Sequence, residues 1–433
     1  MRRIAIVSEH ASPLALAGSI DSGGQNVYVA QTARHFAARG HQVDVFTRMD
    51  DPLLPPEMQW HDGVRIVHVP AGPPRHLPKE DLLAYMDEFG AFLMKYFARQ
   101  PGAYDVIHAN FFMSALAALP VARRHGVPLA VTFHALGRVR RLHQREADRF
   151  PDSRFDIEDE IVRQADRIIA ECPQDRRDLI ELYGADPGRI EIVPCGYDPG
   201  EMGPMDQARA RAELGWDDGA FRVLQLGRMV PRKGVDNVIM ALALLRREHG
   251  VDARLCVVGG NTAEPCEIAT PELARLRAIA REHGVLDQVQ FEGRRGRAQL
   301  RRYYCAADVF ATTPWYEPFG ITPVEAMACA RPVVGADTGG IRYTVEDGKT
   351  GFLVPPKDPA ALAGRLAELA RDRRLARSMG LAGARRARRW FTWDRVSRQL
   401  LQVFGRLDYA GAPAPALRVR EGAIRAAGAR LTA

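Results

Sequence analysis

The chain has 433 residues, 46% hydrophobic and 26% charged, a globular balance sized for two or three domains. Its formal charge of +7 is uneven: from Arg371 onward 15 arginines face four acids, giving +11, so residues 1–370 carry −4. No apolar run approaches the ~20 residues that span a bilayer, and the six scattered cysteines hold no CxxC pair, which excludes a zinc ribbon and a disulfide framework.

The start, MRRIAIVSEH, has only four consecutive apolar residues, Ile4 to Val7, too few for a signal segment. It predicts a first strand, RIAIVS (3–8), in a cytoplasmic, reduced protein. A helix is expected from Gln25 to Arg39, ended by Gly40. Strands follow at QVDVFTR (42–48), VRIVHVP (64–70), DVIHAN (105–110), PLAVTFH (128–134), RIIAE (167–171) and IEIVP (190–194). Such β-branched runs between helices predict a parallel sheet covered on both faces. CGYDPGEMGPMD (195–206), rich in Gly and Pro, reads as a linker.

The pattern then restarts. Strands are expected at 221–228, 253–260, 289–294, 308–314, 331–337 and 351–355, with helices at 235–249, 271–283, about 320–330 and 358–371. A helix near 393–408 precedes a tail, 409–433, whose small residues and prolines predict partial disorder. The fold class is therefore α/β, with two doubly wound halves. The expected division is 1–200, 201–392 and a closing segment 393–433. Ligands of open α/β sheets bind beyond the carboxyl ends of strands, so two facing halves suggest a cleft site.

Four segments carry chemistry. Gly23 and Gly24, after the first strand and before a helix, can bring backbone N–H groups to an anion. Neither GxGxxG nor GxxxxGK[ST] occurs, so a conventional dinucleotide or P-loop site is unsupported. In LGRMVPRKGVDNVI (226–239), Arg228 and Lys233 follow a strand end, a pairing suited to a diphosphate. Only five of the 60 cations are lysines, which makes Lys233 the more informative of the two. In WYEPFGITPVEAMACARPVV (315–334), Glu317 and Glu325 stand eight residues apart and could accept sugar hydroxyl protons. His134 closes a strand in VTFHALGRVRR (131–141). Each feature alone reads equally as a turn, a solvated surface or a structural histidine; their conjunction does not.

Together these segments resemble the retaining glycosyltransferases of family 4, which have the GT-B architecture of two Rossmann-like domains facing across a cleft, with a C-terminal helix crossing back. The GR-x₄-KG segment followed by EPFGITPVEA matches the family's E-x₇-E order and spacing. DSGGQNVYV and AGPPRHLPKEDL are similar to the inositol-phosphate glycosyltransferases, FHALGRVRR to the sucrose and sucrose-phosphate synthases, and FTWDRV (391–396) to the family's crossover point.

The resemblance implies a nucleotide-sugar donor, UDP-glucose or UDP-GlcNAc, and an N-terminal acceptor domain beside a C-terminal donor domain. It implies a catalytic set of His134, Arg228, Lys233 and Glu317. Donor contacts would add Gly23, Gly24, Arg294, Glu325 and the Phe319-Gly320-Ile321 backbone. Acceptor contacts would come from Asn26, Lys79, Phe111, Arg138 and Arg154. Phe111 and Ala135 stand where inositol-phosphate enzymes carry a Tyr and a Thr, so two hydroxyl donors are absent. Arg138, Arg140 and Arg141 could compensate for a different phosphate, which leaves a small anionic acceptor of open identity. No metal, other cofactor, nucleic acid or inserted membrane segment is expected, and a homodimer is left open. Competing readings are a GT-B epimerase or phosphorylase, a family 4 transferase acting on a glycan or lipid, and a non-catalytic protein with a basic tail. The phosphorylase would need a lysine for its pyridoxal cofactor, and Lys233 already has a phosphate role.

Overall fold

The computed structural model describes residues 1–15, 23–100, 102, 104–216 and 219–407. The tail 409–433 lies outside the described residues. Two compact units form among the described residues: 1–15, 25–193 and 397–407 in the first, Gly23, Gly24 and 194–396 in the second.

The first unit is built on an eight-stranded sheet of β1 (Arg3–Val7), β2 (Gln42–Arg48), β3 (Glu57–His61), β4 (Val64–Val69), β5 (Val106–Asn110), β6 (Leu129–Thr132), β7 (Arg167–Ala170) and β8 (Ile190–Ile192). Their order is β3-β4-β2-β1-β5-β6-β7-β8. All neighbours run parallel except β3 and β4. The central strands are buried along nearly their whole length, as expected when helices cover both faces. β3 is the strand the apolar runs did not predict. Its sequence EMQWH alternates between exposed and half-buried, so it presents no apolar run. The signal was in the turn: Asp62-Gly63 joins β3 to β4, and Gly63 has φ +76°.

The second unit carries β9 (Phe221–Leu226), β10 (Ala253–Val258), β11 (Val289–Gly293), β12 (Val309–Thr312), β13 (Val333–Ala336) and β14 (Gly351–Val354). They lie in the order β11-β10-β9-β12-β13-β14, all parallel. In each sheet the strand order reverses beside the first strand, between β1 and β5 and between β9 and β12. Crevices at such reversals open at the carboxyl ends of the strands. The expected segments follow those ends: Arg228 and Lys233 come after β9, Glu317 after β12, and His134 after β6.

Residues 193–206 hold no helix or strand, in line with the linker composition. The closing helix, Trp393–Gly405, is two-sided. Trp393, in the second unit, donates its backbone N–H to Tyr197 O at 3.1 Å. From Ser397 onward the chain groups with the first unit, where Phe404 lies 5.8 Å from the Phe36 ring and 5.4 Å from the His108 ring. Arg2 Nη1 donates to Phe404 O at 3.1 Å.

The arginine-rich stretch proves to be a helix of its own, Arg373–Trp390, capped by the Asp372 carboxylate. Its buried positions are Ala376, Met379, Gly380, Gly383 and Ala387. A Cβ on Gly380 would stand 2.2 Å from Ala330 O, so close packing selects glycine there and pushes the arginines outward. Among the described residues no helix is long and apolar enough to cross a membrane.

Candidate active site

In the second unit the turn after β9 is short and tightly held. Pro231–Lys233 forms one 3-10 turn, and Gly234 follows with φ +66°. A Cβ on Gly234 would fall 2.0 Å from Thr313 O, so only glycine lets this turn lie against the end of β12. Thr313 Oγ1 donates to Gly234 O at 3.1 Å and accepts from Asn237 Nδ2 at 3.1 Å. The result sets Lys233 against Glu317, with Nζ donating to Oε2. Burial pulls the Lys233 ammonium down to about 8; the positive Arg232 and Arg228 add to this, and Glu317 opposes it. Burial alone would raise the Glu317 carboxyl, but Lys233, Arg232 and Arg228 together hold it below its ordinary value. Three cations thus act on one carboxylate, a field that favours an added anion.

The loop carrying Glu317 is pinned from behind. Gly340 N donates to Glu317 O at 2.9 Å. A Cβ on Gly339, whose φ is +47°, would lie 2.1 Å from that same oxygen. Phe319 is buried against Phe391, and its backbone packs on Gly340, where an added Cβ would stand 2.2 Å from Phe319 Cα. Gly320 (φ +90°) starts the helix Ile321–Ala328, and no side chain caps it.

Glu325 is buried on that helix and does not lie on the exposed face that a lone helical Glu usually occupies. It accepts from Tyr304 Oη at 2.9 Å and Arg297 Nη2 at 3.0 Å. Arg297 also reaches Glu201 at 2.7 Å. Burial opposes the Arg297 charge, yet Glu325 and Glu201 outweigh it and raise the guanidinium above its ordinary value. Gly23 and Gly24 group with this unit. A Cβ on Gly23 would sit 3.5 Å from Arg228 Nε, and one on Gly24 3.5 Å from Ile321 Cδ1.

Beyond β10 and β11 lies a narrow recess lined by Gly259, Gly260, Thr262, Phe291 and Gly293 among others. Arg294, an expected donor contact, donates its backbone N–H to Thr262 O at 2.7 Å and shapes the rim of this recess.

In the first unit His134 sits at φ +57°, a left-handed conformation costly for a non-glycine residue and found mostly at functional turns. Its Nδ1 is 2.8 Å from Glu171 Oε1 and its Nε2 3.0 Å from Asn110 Oδ1. The Tyr28 ring meets it edge-on at 4.8 Å. Phe111 also has a positive φ, +86°, and its ring is buried.

Arg154 is fully buried and does not project into an open site. Its Nε donates to Glu158 Oε1 at 2.7 Å and its Nη2 to Ala135 O at 2.5 Å. Its guanidinium lies 4.5–5.1 Å from the rings of Phe111, Phe112 and Phe150. Glu158 further accepts from the Gly137 N–H and from Tyr183 Oη.

The three extra arginines are also committed. Arg138 makes a two-pronged pair with Asp159 at 2.5 and 2.8 Å. Arg140 meets Asp148 and Glu80, and Arg141 meets Asp152. The three arginines expected to supply charge for a phosphate are thus each paired with an acid in this structure. Asn26 is buried, its Nδ2 donating to Ser12 O at 3.0 Å. Lys79 opens the 3-10 helix Lys79–Tyr85.

Sequence reasoning missed Asn110 and Glu171. Both are polar ends of apolar strands, β5 and β7, which flank the strand leading to His134; that placement was the available signal. Arg232, Arg297 and Tyr304 had none, because nothing in their spacing separates them from surface residues.

Comparison with known proteins places this fold in a family. Residues 22–201 match the family model described as Glycosyltransferase Family 4, and residues 206–386 match Glycosyl transferases group 1. A D-inositol 3-phosphate glycosyltransferase from Actinosynnema mirum is 38% identical over 411 residues, covering 94% of this chain and 97% of its own length. One from Acidothermus cellulolyticus is 39% identical over 408 residues, 93% of this chain and 90% of that one. Among solved structures, sucrose-phosphate synthase from Thermosynechococcus elongatus superposes with a TM-score of 0.86 at 31% identity, over 94% of this chain and 98% of that one. Anabaena HepE in complex with UDP and glucose shares the fold at a TM-score of 0.71 and 21% identity, over 94% and 100% of the two chains.

Proposed function

The chain belongs to glycosyltransferase family 4, with the GT-B architecture, and from that membership we propose that it moves a hexosyl group from a UDP-sugar to a small phosphorylated sugar or polyol. The observation that carries this reading is the Lys233–Glu317 pair in the field of Arg228 and Arg232.

In this reading Arg228 and Lys233 bind the diphosphate and stabilise the charge it gains as the bond from the anomeric carbon to phosphate oxygen breaks. Glu317 accepts from hydroxyls of the transferred sugar. Glu325 has about four acceptor sites, two of them used by Tyr304 and Arg297, and offers the others to ribose hydroxyls. The recess behind Gly293 takes the edge of the base. The acceptor hydroxyl bonds to the anomeric carbon on the face the diphosphate leaves, and its proton passes to the departing phosphate. The configuration is retained, and neither an enzymic nucleophile nor a metal is required. The first unit holds the acceptor and the second the donor, in the cytoplasm.

UDP-glucose and UDP-GlcNAc, each with a panel of phosphosugars and inositol phosphates, test this. UDP release with one pairing, and an α-linked product by NMR, is expected. No release and no nucleotide binding across the panel would overturn it.

The charge pairing in the first unit favours a second acceptor reading. Arg138, Arg140, Arg141 and Arg154 each meet an acid, so the acceptor is a neutral sugar or polyol held by hydroxyl and backbone groups. Turnover of the unphosphorylated members of the panel above the phosphorylated ones distinguishes it.

A further inference from the structure

β5, β6 and β7 are adjacent in the first sheet, and their carboxyl ends bring Asn110, His134 and Glu171 together. Both imidazole nitrogens of His134 face an oxygen: Glu171 Oε1 at Nδ1 and Asn110 Oδ1 at Nε2. The amide is not free to turn over. Asn110 Nδ2 donates to His108 O at 3.1 Å, and a flipped amide would set two acceptors against each other there. A neutral imidazole has one N–H and one lone pair, so one of its two contacts would oppose a lone pair to an oxygen. With Glu171 ionised, only a ring with a proton on each nitrogen satisfies both.

The remaining neighbours fit that arrangement. His108, fully buried with Nε2 at 2.9 Å from Thr132 Oγ1, is pulled down to about 3 by burial and by the charge on His134, so it stays neutral. Asp175 accepts the Glu171 N–H at 2.9 Å and is pushed up to about 8 by burial and by the negative Glu171. It therefore holds its proton at neutral pH and leaves Glu171 as the charge facing the ring. Tyr28 contributes its ring edge.

We propose that Glu171 is a positioning residue that keeps His134 an imidazolium, so that Nε2–H is a standing donor which passes from Asn110 Oδ1 to a hydroxyl oxygen of the transferred sugar when the donor binds. The role at the sugar rests on the transferase reading; the charge state of the ring does not. Glu171 acts through His134, as the partner at one ring nitrogen generally sets what the other can do. No bond is made or broken in this step, and the imidazolium keeps both protons through the transfer.

Two measurements test the proposal on the full chain. In ¹⁵N-histidine NMR, with the resonance assigned by loss in His134→Gln, both ring nitrogens of His134 carry protons at pH 7. In Glu171→Gln one of them loses its proton. A neutral ring in the unsubstituted protein overturns the proposal whether or not any sugar is transferred. In kinetics, Glu171→Gln lowers kcat by about 10- to 100-fold, the range for removing a partner behind a functional histidine. The donor KM changes little, and the rate recovers as the pH falls. Glu171→Asp, which keeps the charge and the fold, retains most of the rate. A loss in Glu171→Gln that is equal at every pH, with the ring's protons unchanged, means a structural role only and overturns the proposal. If the NMR result holds while no UDP-sugar turns over, the transferase reading has failed and the charge state stands.

Discussion

In the second unit three cations, Arg228, Arg232 and Lys233, act on the single carboxylate of Glu317, whereas in the first unit Arg138, Arg140, Arg141 and Arg154 each meet an acid. Both groups look alike in the sequence, as basic residues near strand ends. The difference lies in what the fold supplies around them. The turn after β9 is pressed onto Thr313 by Gly234, which concentrates like charges against one acid. The helices that follow β6 interleave arginines with Asp148, Asp152, Glu158 and Asp159, which cancels them. A cluster whose cations converge on one carboxylate can bind an anion; one in which each cation meets an acid holds the fold together.

The largest effect should come from the cancelled side. Arg154→Met leaves the Glu158 carboxylate buried beside apolar rings, and breaking a buried pair by removing one partner costs about 3–5 kcal/mol. Chemical denaturation should show that loss. The double variant Arg154→Met, Glu158→Leu should recover part of it, because no charge is stranded while the Gly137 N–H and Tyr183 Oη lose their acceptor. If Arg154→Met instead stays stable and loses only acceptor affinity, the contrast between the units fails.

Next comes the cluster around Glu317. Lys233→Ala removes a charge aimed at the departing diphosphate, and losses for one such group are about 10²–10³ in kcat. Thermal stability should fall little, since the protein is relieved of one of three like charges. The pH dependence has a definite sign. Lys233 is lowered to about 8, so the free site loses its charge as pH rises through 8, and UDP affinity should weaken there by calorimetry. For folding the sign is opposite. Between pH 8 and the ordinary lysine value of 10.5 the unfolded chain binds the extra proton, so this group makes stability rise with pH across that window.

How much of this was legible in the sequence follows from the same contrast. Lys233, Glu317 and Glu325 lie in two short segments whose spacing is set by one turn and one helix start, so local sequence was enough to flag them. It did not show that Glu325 would be buried, because Tyr304 and Arg297 come from a different helix. Strand runs were legible where a strand is buried on both faces, and failed at β3, whose half-exposed EMQWH has no apolar run. The cancellation of Arg138, Arg140 and Arg141 was hidden for a different reason. An arginine's partner depends on which acids the fold brings within reach, and Glu80 comes from 60 residues away to meet Arg140. Composition could show that the basic excess belonged to the closing segment; it could not show which body cations were spare.

A third substitution tests how the cluster around Glu317 is held. Gly339→Ala forces a side chain into a left-handed conformation and against Glu317 O. The backbone penalty alone is roughly 1–3 kcal/mol. Because the obstructed oxygen belongs to the residue paired with Lys233, donor KM should rise along with the loss of stability. Gly364→Ala, inside a helix with open space around the added methyl, is the control that should leave donor KM unchanged and raise stability slightly.

The smallest effect discriminates most finely. Arg138 and Asp159 keep 29% and 33% side-chain exposure, so Arg138→Ala should cost only about 0.2–1 kcal/mol. The two-pronged geometry places it toward the upper part of that range, and the stacking of the guanidinium on Tyr183, 4.5 Å away, adds a packing loss. Acceptor KM should not change. For a phosphate to use Arg138, Asp159 would have to swing away and be solvated alone, and a half-exposed pair can do that at modest cost. An acceptor KM that rises tenfold in Arg138→Ala would therefore mean that the pairing with Asp159 is a resting arrangement which the acceptor displaces. An unchanged KM would mean that the arginine serves the helix Gly137–Gln144 alone, and that the charge recognising any phosphate lies elsewhere, with Lys79 the first position to substitute.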